Sequence, residues 1–202
     1  PYSLSEHSTT AQAGDEPILI FNRCRVPVVV GSNRVENAQK LIELGCNVII
    51  SDDGLQHYRL QRDLELVVVD GKRRFGNGFL IPAGPLREGS WRLKNADIVI
   101  FNGDCQTRGE SSLMTLVATK LRHIQTEKEI SLADFLANKV SVNAIAGIGS
   151  PQRFFDTLTN LGFNLVRQQG FIDHKNFTAN DFSQFKDDLP LLMTEKDAVK
   201  CQ

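Results

Sequence analysis

Nowhere does this chain carry an apolar run long enough to cross a bilayer. The longest runs, residues 26–30, 66–69 and 98–101, fall far short of the roughly 18 residues a spanning helix needs. It also lacks an excess of either charge: 23 Lys and Arg stand against 24 Asp and Glu, so no global positive field gathers nucleic acid. Its four cysteines, Cys24, Cys46, Cys105 and Cys201, form no C-x-x-C pair and have no nearby histidine pair, which argues against a zinc cage or a disulfide framework and for reduced thiols in a cytoplasmic protein. There are no internal repeats and no low-complexity tract. What remains is 202 residues, 41% hydrophobic, enough for one core and a second small lobe. Pro1 follows no signal-like segment and Gln202 closes just past an apolar run, so we expect an internal piece of a longer protein.

Residues 1–14 are polar and read as a loop, and Gly14-Asp15-Glu16-Pro17 reads as a turn. Residues 27–30 form a β-branched run. Asn33 with Glu36 three residues on opens a helix whose Val35, Ala38, Leu41 and Ile42 share one face until Gly45, and residues 47–50 form another apolar run. Strand, helix, strand at this spacing predicts a βαβ unit and a parallel sheet. Residues 64–69 and 97–101 extend it, and the aperiodic, Gly-, Pro- and Arg-rich residues 71–89 form a long loop between them. A strand is expected within 113–120 and a Ser131-capped helix to Ala137. The pattern restarts with a strand at 142–146, a Ser150-Pro151 helix start with Phe154, Phe155, Leu158 and Leu161 on one face, and short strands at 164–166 and 189–193. The expected division is a core over 1–106, a join over 107–139 and a smaller α/β lobe over 140–202.

Chemistry concentrates in few places. Ile49-Ile-Ser-Asp52-Asp53-Gly54 ends a strand in two carboxylates, where parallel sheets place ligands and nucleotide-processing enzymes hold Mg²⁺. The alternative is a capped, solvated Asp-Gly turn, and only one carboxylate of such a pair can face a metal while the strand continues. Residues 57–94 carry eight Lys and Arg against four acids, a local excess that suits phosphate or an anionic lipid surface, or serves as a solvated face. His174, in Phe171-Ile-Asp-His-Lys, and His57, beside the Asp-Asp-Gly turn, are on pattern alone ordinary histidines. Gly71-Lys-Arg-Arg-Phe-Gly76-Asn-Gly has phosphate-loop spacing but Asn-Gly where Lys-Ser/Thr is required, and Gly147-Ile-Gly149-Ser-Pro-Gln152 lacks the third glycine of a dinucleotide fingerprint.

Taken in order, Ala13-Gly-Asp-Glu-Pro17, Ser51-Asp-Asp-Gly-Leu-Gln-His57, Asp70-Gly71 through Phe75-Gly-Asn-Gly78 to Pro82-Ala-Gly-Pro-Leu-Arg-Glu88, Gly147-Ile-Gly-Ser-Pro-Gln-Arg-Phe-Phe155 and Met193-Thr-Glu-Lys-Asp-Ala-Val199 closely resemble the tetraacyldisaccharide 4'-kinase family of lipid A biosynthesis. The resemblance runs from about Ala13 to the end. It implies an α/β fold with an incomplete P-loop-NTPase-like parallel sheet core and a second, smaller α/β lobe. It implies transfer of the γ-phosphate of ATP, with Mg²⁺, to the 4'-hydroxyl of a lipid A disaccharide precursor at the cytoplasmic face of the bacterial inner membrane, with no nucleic-acid partner.

By the same resemblance, Asp15 is the catalytic carboxylate and His174 its partner from the second lobe, which implies closure before chemistry. Asp52 and Asp53 hold or order Mg²⁺, with Glu88 a further metal contact. Arg34 and Arg87 neutralise phosphate charge, and Gln56 and His57 belong to the same substrate- and phosphate-binding set. The family's Gly-x-x-x-x-Gly-Lys-Ser/Thr loop and hydrophobic N-terminal helix are not found in these 202 residues, so this piece alone is expected to be inactive. The rival readings are another P-loop-like small-molecule kinase or ATPase, and a non-catalytic module that docks its basic loop on anionic lipid.

Overall fold

The computed structural model describes residues 1–103, 112–185 and 188–201. Cys105 and the first residues of the expected 107–139 join lie outside them. The chain divides into two compact units, Pro1–Ile49 with Thr119–Gln202, and Ile50–Ala118. The division is therefore not the consecutive one expected, because the amino-terminal segment packs with the carboxyl-terminal one.

In the first unit β1 (Tyr2–Ser3) leads to a single turn of helix, α1 (Thr10–Ala13), and to α2 (Asp15–Cys24). Residues 15–17, expected to be a turn, are the first turn of α2. Gly14, at φ 90°, supplies the N-cap, Asp15 and Glu16 suit the positive end of the helix dipole, and Pro17 sits where its missing N–H costs nothing. Ile18 on this helix packs with Leu4 and Val199, bringing the chain's two ends into one apolar cluster.

β2 (Val29–Val30) pairs antiparallel with β1, and α3 (Arg34–Glu43) follows, its Asn33 cap accepting from the Glu36 amide. Residues 47–50 form no strand, so the expected βαβ unit is absent here. Val48 and Ile50 stay 75% and 91% exposed, and the run pairs with no strand among the described residues.

The second unit is built on β3 (Leu66–Asp70), β4 (Ile98–Asn102) and β5 (Ser112–Met114), all parallel in the order β3-β4-β5. The two longer strands fall where their apolar runs predict. The segment expected as a strand over 113–120 contributes only its first residues to β5. The long 71–89 segment is a succession of turns, begun by Asp70, whose Oδ1 accepts from the amides of Lys72 and Arg73 at 3.0 and 2.8 Å.

Back in the first unit, β6 (Lys120–Arg122) and β7 (Glu129–Ser131) make an antiparallel hairpin, and Ser131 caps α4 (Leu132–Ala137). β8 (Ser141–Ala146), α5 (Pro151–Asn160), β9 (Asn164–Gly170) and β10 (Leu191–Leu192) then form a parallel sheet in the order β10-β8-β9. β8 is its central strand, and Val142, Ala144, Ile145 and Ala146 are fully buried. Phe155 and Leu158 of α5 and Phe163 close over Val142, Ala144 and Ala146, with Phe135 of α4 at the edge. The short α6 (Glu195–Ala198) packs beside α2 and runs into a 3-10 turn at Val199–Cys201.

Candidate active site

Asp15 is 7% exposed, an unusual state for an acid in a first helical turn. Its Oδ1 accepts from the Glu16 amide at 3.2 Å and lies 3.2 Å from His174 Nδ1. An ionised carboxylate only accepts, so Nδ1 carries the proton in this contact. Its Oδ2 is shielded from solvent and has no hydrogen-bond partner among the described residues. The nearest cation is Lys196, whose Nζ is 3.9 Å from Oδ2, 2.8 Å from Glu16 Oε1 and 3.4 Å from Asp173 Oδ1.

His174 follows β9 on a loop and takes a left-handed backbone, φ 56°, rare for a residue with a Cβ. Its own amide donates to Asp173 Oδ1 at 3.0 Å, and this local bond fixes the turn that aims the ring at Asp15. Burial alone would lower the Lys196 pKa, but the Glu16 hydrogen bond and the charges of Glu16, Asp15 and Asp173 outweigh it and raise it. Burial likewise works against the Asp173 carboxylate, and Lys196 with the His174 amide holds it below the usual range.

Lys196 is placed by its neighbour. Asp197 is fully buried; its Oδ2 accepts from the Gly147 amide at 3.0 Å and from Thr194 Oγ1 at 2.7 Å, and its Oδ1 pairs with Lys200 at 2.7 Å. A side chain on Gly147 would press Asp197 Oδ1 and the Phe177 ring, at 3.1 and 3.3 Å from its Cβ. The Gly147-Ile-Gly149 turn, without a complete dinucleotide fingerprint, is thus the socket that seats α6.

The second unit holds a cleft of about 340 Å³ beside the carboxyl end of β3, bordered by Asp53, Gln56, Arg74, Arg87, Glu88 and Arg92. Arg92 bridges Glu65 at 2.6 Å and Glu88 at 3.4 Å, and Arg62 reaches back to the carbonyls of Gly54 and Leu55 at 2.9 and 3.2 Å, tying the Asp-Asp-Gly turn to the strand. Asp53 turns the chain with φ 49°.

A family model described as tetraacyldisaccharide-1-P 4'-kinase (LpxK) matches residues 1–202. The chain belongs to that family. A tetraacyldisaccharide 4'-kinase of Colwellia psychrerythraea is 61% identical over 206 residues, covering 100% of this chain and 60% of that protein. One from Haemophilus influenzae is 46% identical over 203 residues, with 100% and 60% covered. A crystal structure of LpxK from Aquifex aeolicus, in complex with ATP, superposes with a TM-score of 0.74 at 26% identity over 100% of this chain and 66% of that one. The chain therefore spans about 60% of the length of the curated relatives it matches. The fold is the α/β, P-loop-kinase fold of the LpxK structure.

Within this family member, the expected pair Asp15 and His174 stands in hydrogen-bond contact, and both belong to the same compact unit rather than to separate lobes. Helix α2 packs beside α6, which places both residues within that unit. Asp52, Asp53 and Glu88 do not gather into a triad: no group of three or more His, Cys, Asp or Glu suited to a metal occurs among the described residues. Asp53 and Glu88 border the cleft, and Asp52 does not. Glu88 Oε1 is buried without a hydrogen-bond partner among the described residues, so these two carboxylates fit a hard cation that takes its other oxygens from phosphate and water.

Arg87 and Gln56 line the same cleft; His57 is half-buried behind the turn, and Arg34 opens α3 in the other unit. Sequence reasoning singled out neither Lys196 nor Asp173 as a site residue. Both lay inside segments already quoted, and the available signal was that Met193-Thr-Glu-Lys-Asp carries charged residues beside an apolar strand.

Proposed function

We propose that this chain supplies the proton-accepting pair and part of the phosphate cleft of an ATP-dependent kinase acting on the 4'-hydroxyl of a tetraacyldisaccharide 1-phosphate. It does so peripherally, at the cytoplasmic face of the bacterial inner membrane, without nucleic-acid partners. The observation that supports this reading is the division of labour on Asp15: one oxygen is held by His174, and the other is buried with no hydrogen-bond donor among the described residues. A buried, unpaired carboxylate oxygen is costly unless a ligand completes it, and a sugar hydroxyl is a fitting donor.

Asp15 Oδ2 accepts the hydroxyl proton, the freed oxygen bonds to the γ-phosphorus, and the bond from that phosphorus to the bridging oxygen breaks as ADP leaves. His174 keeps the carboxylate oriented. Arg87 and Arg34 offset phosphate charge, and Gln56 and His57 contribute polar contacts to the bound substrates. Asp53 and Glu88 hold Mg²⁺, with Asp52 ordering the turn; the ion, when bound, neutralises charge on the transferring group. Because Oδ2 is shielded, substrate entry displaces part of its cover. Residues 1–202 contain no Walker A loop, so the 202-residue polypeptide alone is expected to transfer no phosphate.

The test uses the complete gene product containing these residues and measures ATP-dependent phosphorylation of the disaccharide. Asp15→Asn is expected to lower turnover by roughly 10²–10⁴. His174→Ala is expected to lower turnover with little change in ATP affinity. Full activity in Asp15→Asn refutes the reading.

A further inference from the structure

We propose that Lys196 is a positioning residue for the Asp15–His174 pair, an inference that rests on the reading above. Its ammonium stands between two elements that are far apart in sequence. On one side is the first turn of α2, through Glu16 at 2.8 Å; on the other is the loop bearing His174, through Asp173 at 3.4 Å. It is thereby the ionic link that sets the distance between the acid and the imidazole. It also stands 3.9 Å from Asp15 Oδ2, too long for a hydrogen bond and close enough to favour that oxygen's negative charge.

Three observations distinguish this from an ordinary surface bridge. The Lys196 side chain is only 18% exposed, against 46% for Lys40 in its exposed bridge on α3. It contacts three carboxylates at once, so the pocket is anionic without it. And its backbone is anchored: Thr194 caps the turn, and buried Asp197 is bound to the Gly147 amide and to Lys200. The other charged groups near it are accounted for among the described residues. Glu195 pairs with Arg23 and Lys200 with Asp197; Glu16, Asp15 and Asp173 face Lys196, and the His174 ring is turned to Asp15.

Removing this cation leaves three carboxylates and an imidazole together. Proton binding to the cluster becomes easier, and the loop of Asp173 loses its tie to α2. In the complete gene product, Lys196→Met is expected to lower kcat about tenfold or more, to leave KM for ATP nearly unchanged, and to move the acidic limb of the pH–rate profile upward by about one unit. Lys196→Arg restores the limb, because it restores the charge.

Independently of turnover, the ¹⁵N NMR titration midpoint of His174 rises in Lys196→Met. Should Lys196→Met lose its native circular dichroism, the pair Glu16→Gln with Asp173→Asn unties the same bridge from the other side and is expected to lower kcat. Wild-type kcat in that pair overturns the proposal. So does an unmoved His174 midpoint in a folded Lys196→Met. If Asp15→Asn is inactive while Lys196→Met keeps wild-type kcat and its acidic limb, the role of Lys196 falls and the kinase reading stands. If Asp15→Asn is fully active, the kinase reading falls, and the His174 midpoint alone decides whether Lys196 governs the pair.

Discussion

Asp197 is a charged side chain buried at the centre of a hydrogen-bonded cluster. It is fully buried, it satisfies a glycine amide and a threonine hydroxyl, and it neutralises Lys200, whose side chain is 3% exposed. Such pairs add little net stability against an apolar replacement, but removing one partner leaves a stranded charge. Asp197→Asn preserves shape but removes the charge and turns one accepting oxygen into a donor, and is expected to cost about 3–5 kcal/mol in chemical denaturation, because Lys200 then stays buried without its counterion. Thr194→Ala removes the cap of α6 and one donor to Asp197, and is expected to cost about 1–2 kcal/mol in the same measurement. Neither dependence is visible in the string Thr-Glu-Lys-Asp-Ala-Val, where Glu195, Lys196 and Asp197 look alike. Burial separates them: Glu195 faces outward, Lys196 reaches Glu16 and Asp15, and Asp197 holds the turn.

At the scale of elements, α5 and the 47–50 segment are opposite cases. Leu158 is buried against β8, so Leu158→Ala should destabilise by about 2–5 kcal/mol. Ile50→Ala, at a site left 91% exposed, should change stability by no more than about 0.5 kcal/mol. The same denaturation series compares both. Helix α5 was readable because its Pro start, apolar face and Gly162 stop all agree with one another. Residues 47–50 misled because a short apolar run shows hydrophobicity but not a partner. The opening of α2 was hidden for another reason: Gly-Asp-Glu-Pro is equally good as a turn and as a helix start, and the contact of Ile18 with Leu4 and Val199 decides between them. The polar half of β9, Arg167 to Gln169, was missed because a strand at a sheet edge needs no apolar alternation to pair with β8.

For the whole molecule, the site charges set a pH window. Asp173 is held below its ordinary value of 3.8, so its contribution to stability is in place above that value and is lost as pH falls through the lower folded one. Lys196 is raised above 10.5, so its contribution is complete below that value and is lost as pH rises through the higher folded one. The bridge therefore stabilises the protein through the neutral range. The difference in melting temperature between wild type and Asp173→Asn should be constant from about pH 5 to pH 9, should begin to narrow as pH falls below 3.8 and should close once pH has passed the lower folded value, where both chains lack the charge. A difference that persists at low pH would show that Asp173 acts through packing.

The amino-acid sequence by itself determined the chemistry available here: which acids, cations and histidine exist, the apolar runs of β3, β4 and β8, and the ordered motifs that mark the family. Those properties are local, and each is legible within a few residues. Only the tertiary structure decided which of them meet. Asp15 and His174 are brought together because Ile18 and Val199 bury against each other and so pack the first long helix beside the last short one. A contact across such a separation is made by burial of remote apolar surface; composition and spacing around either residue do not record it, and only the family resemblance pointed to the pair.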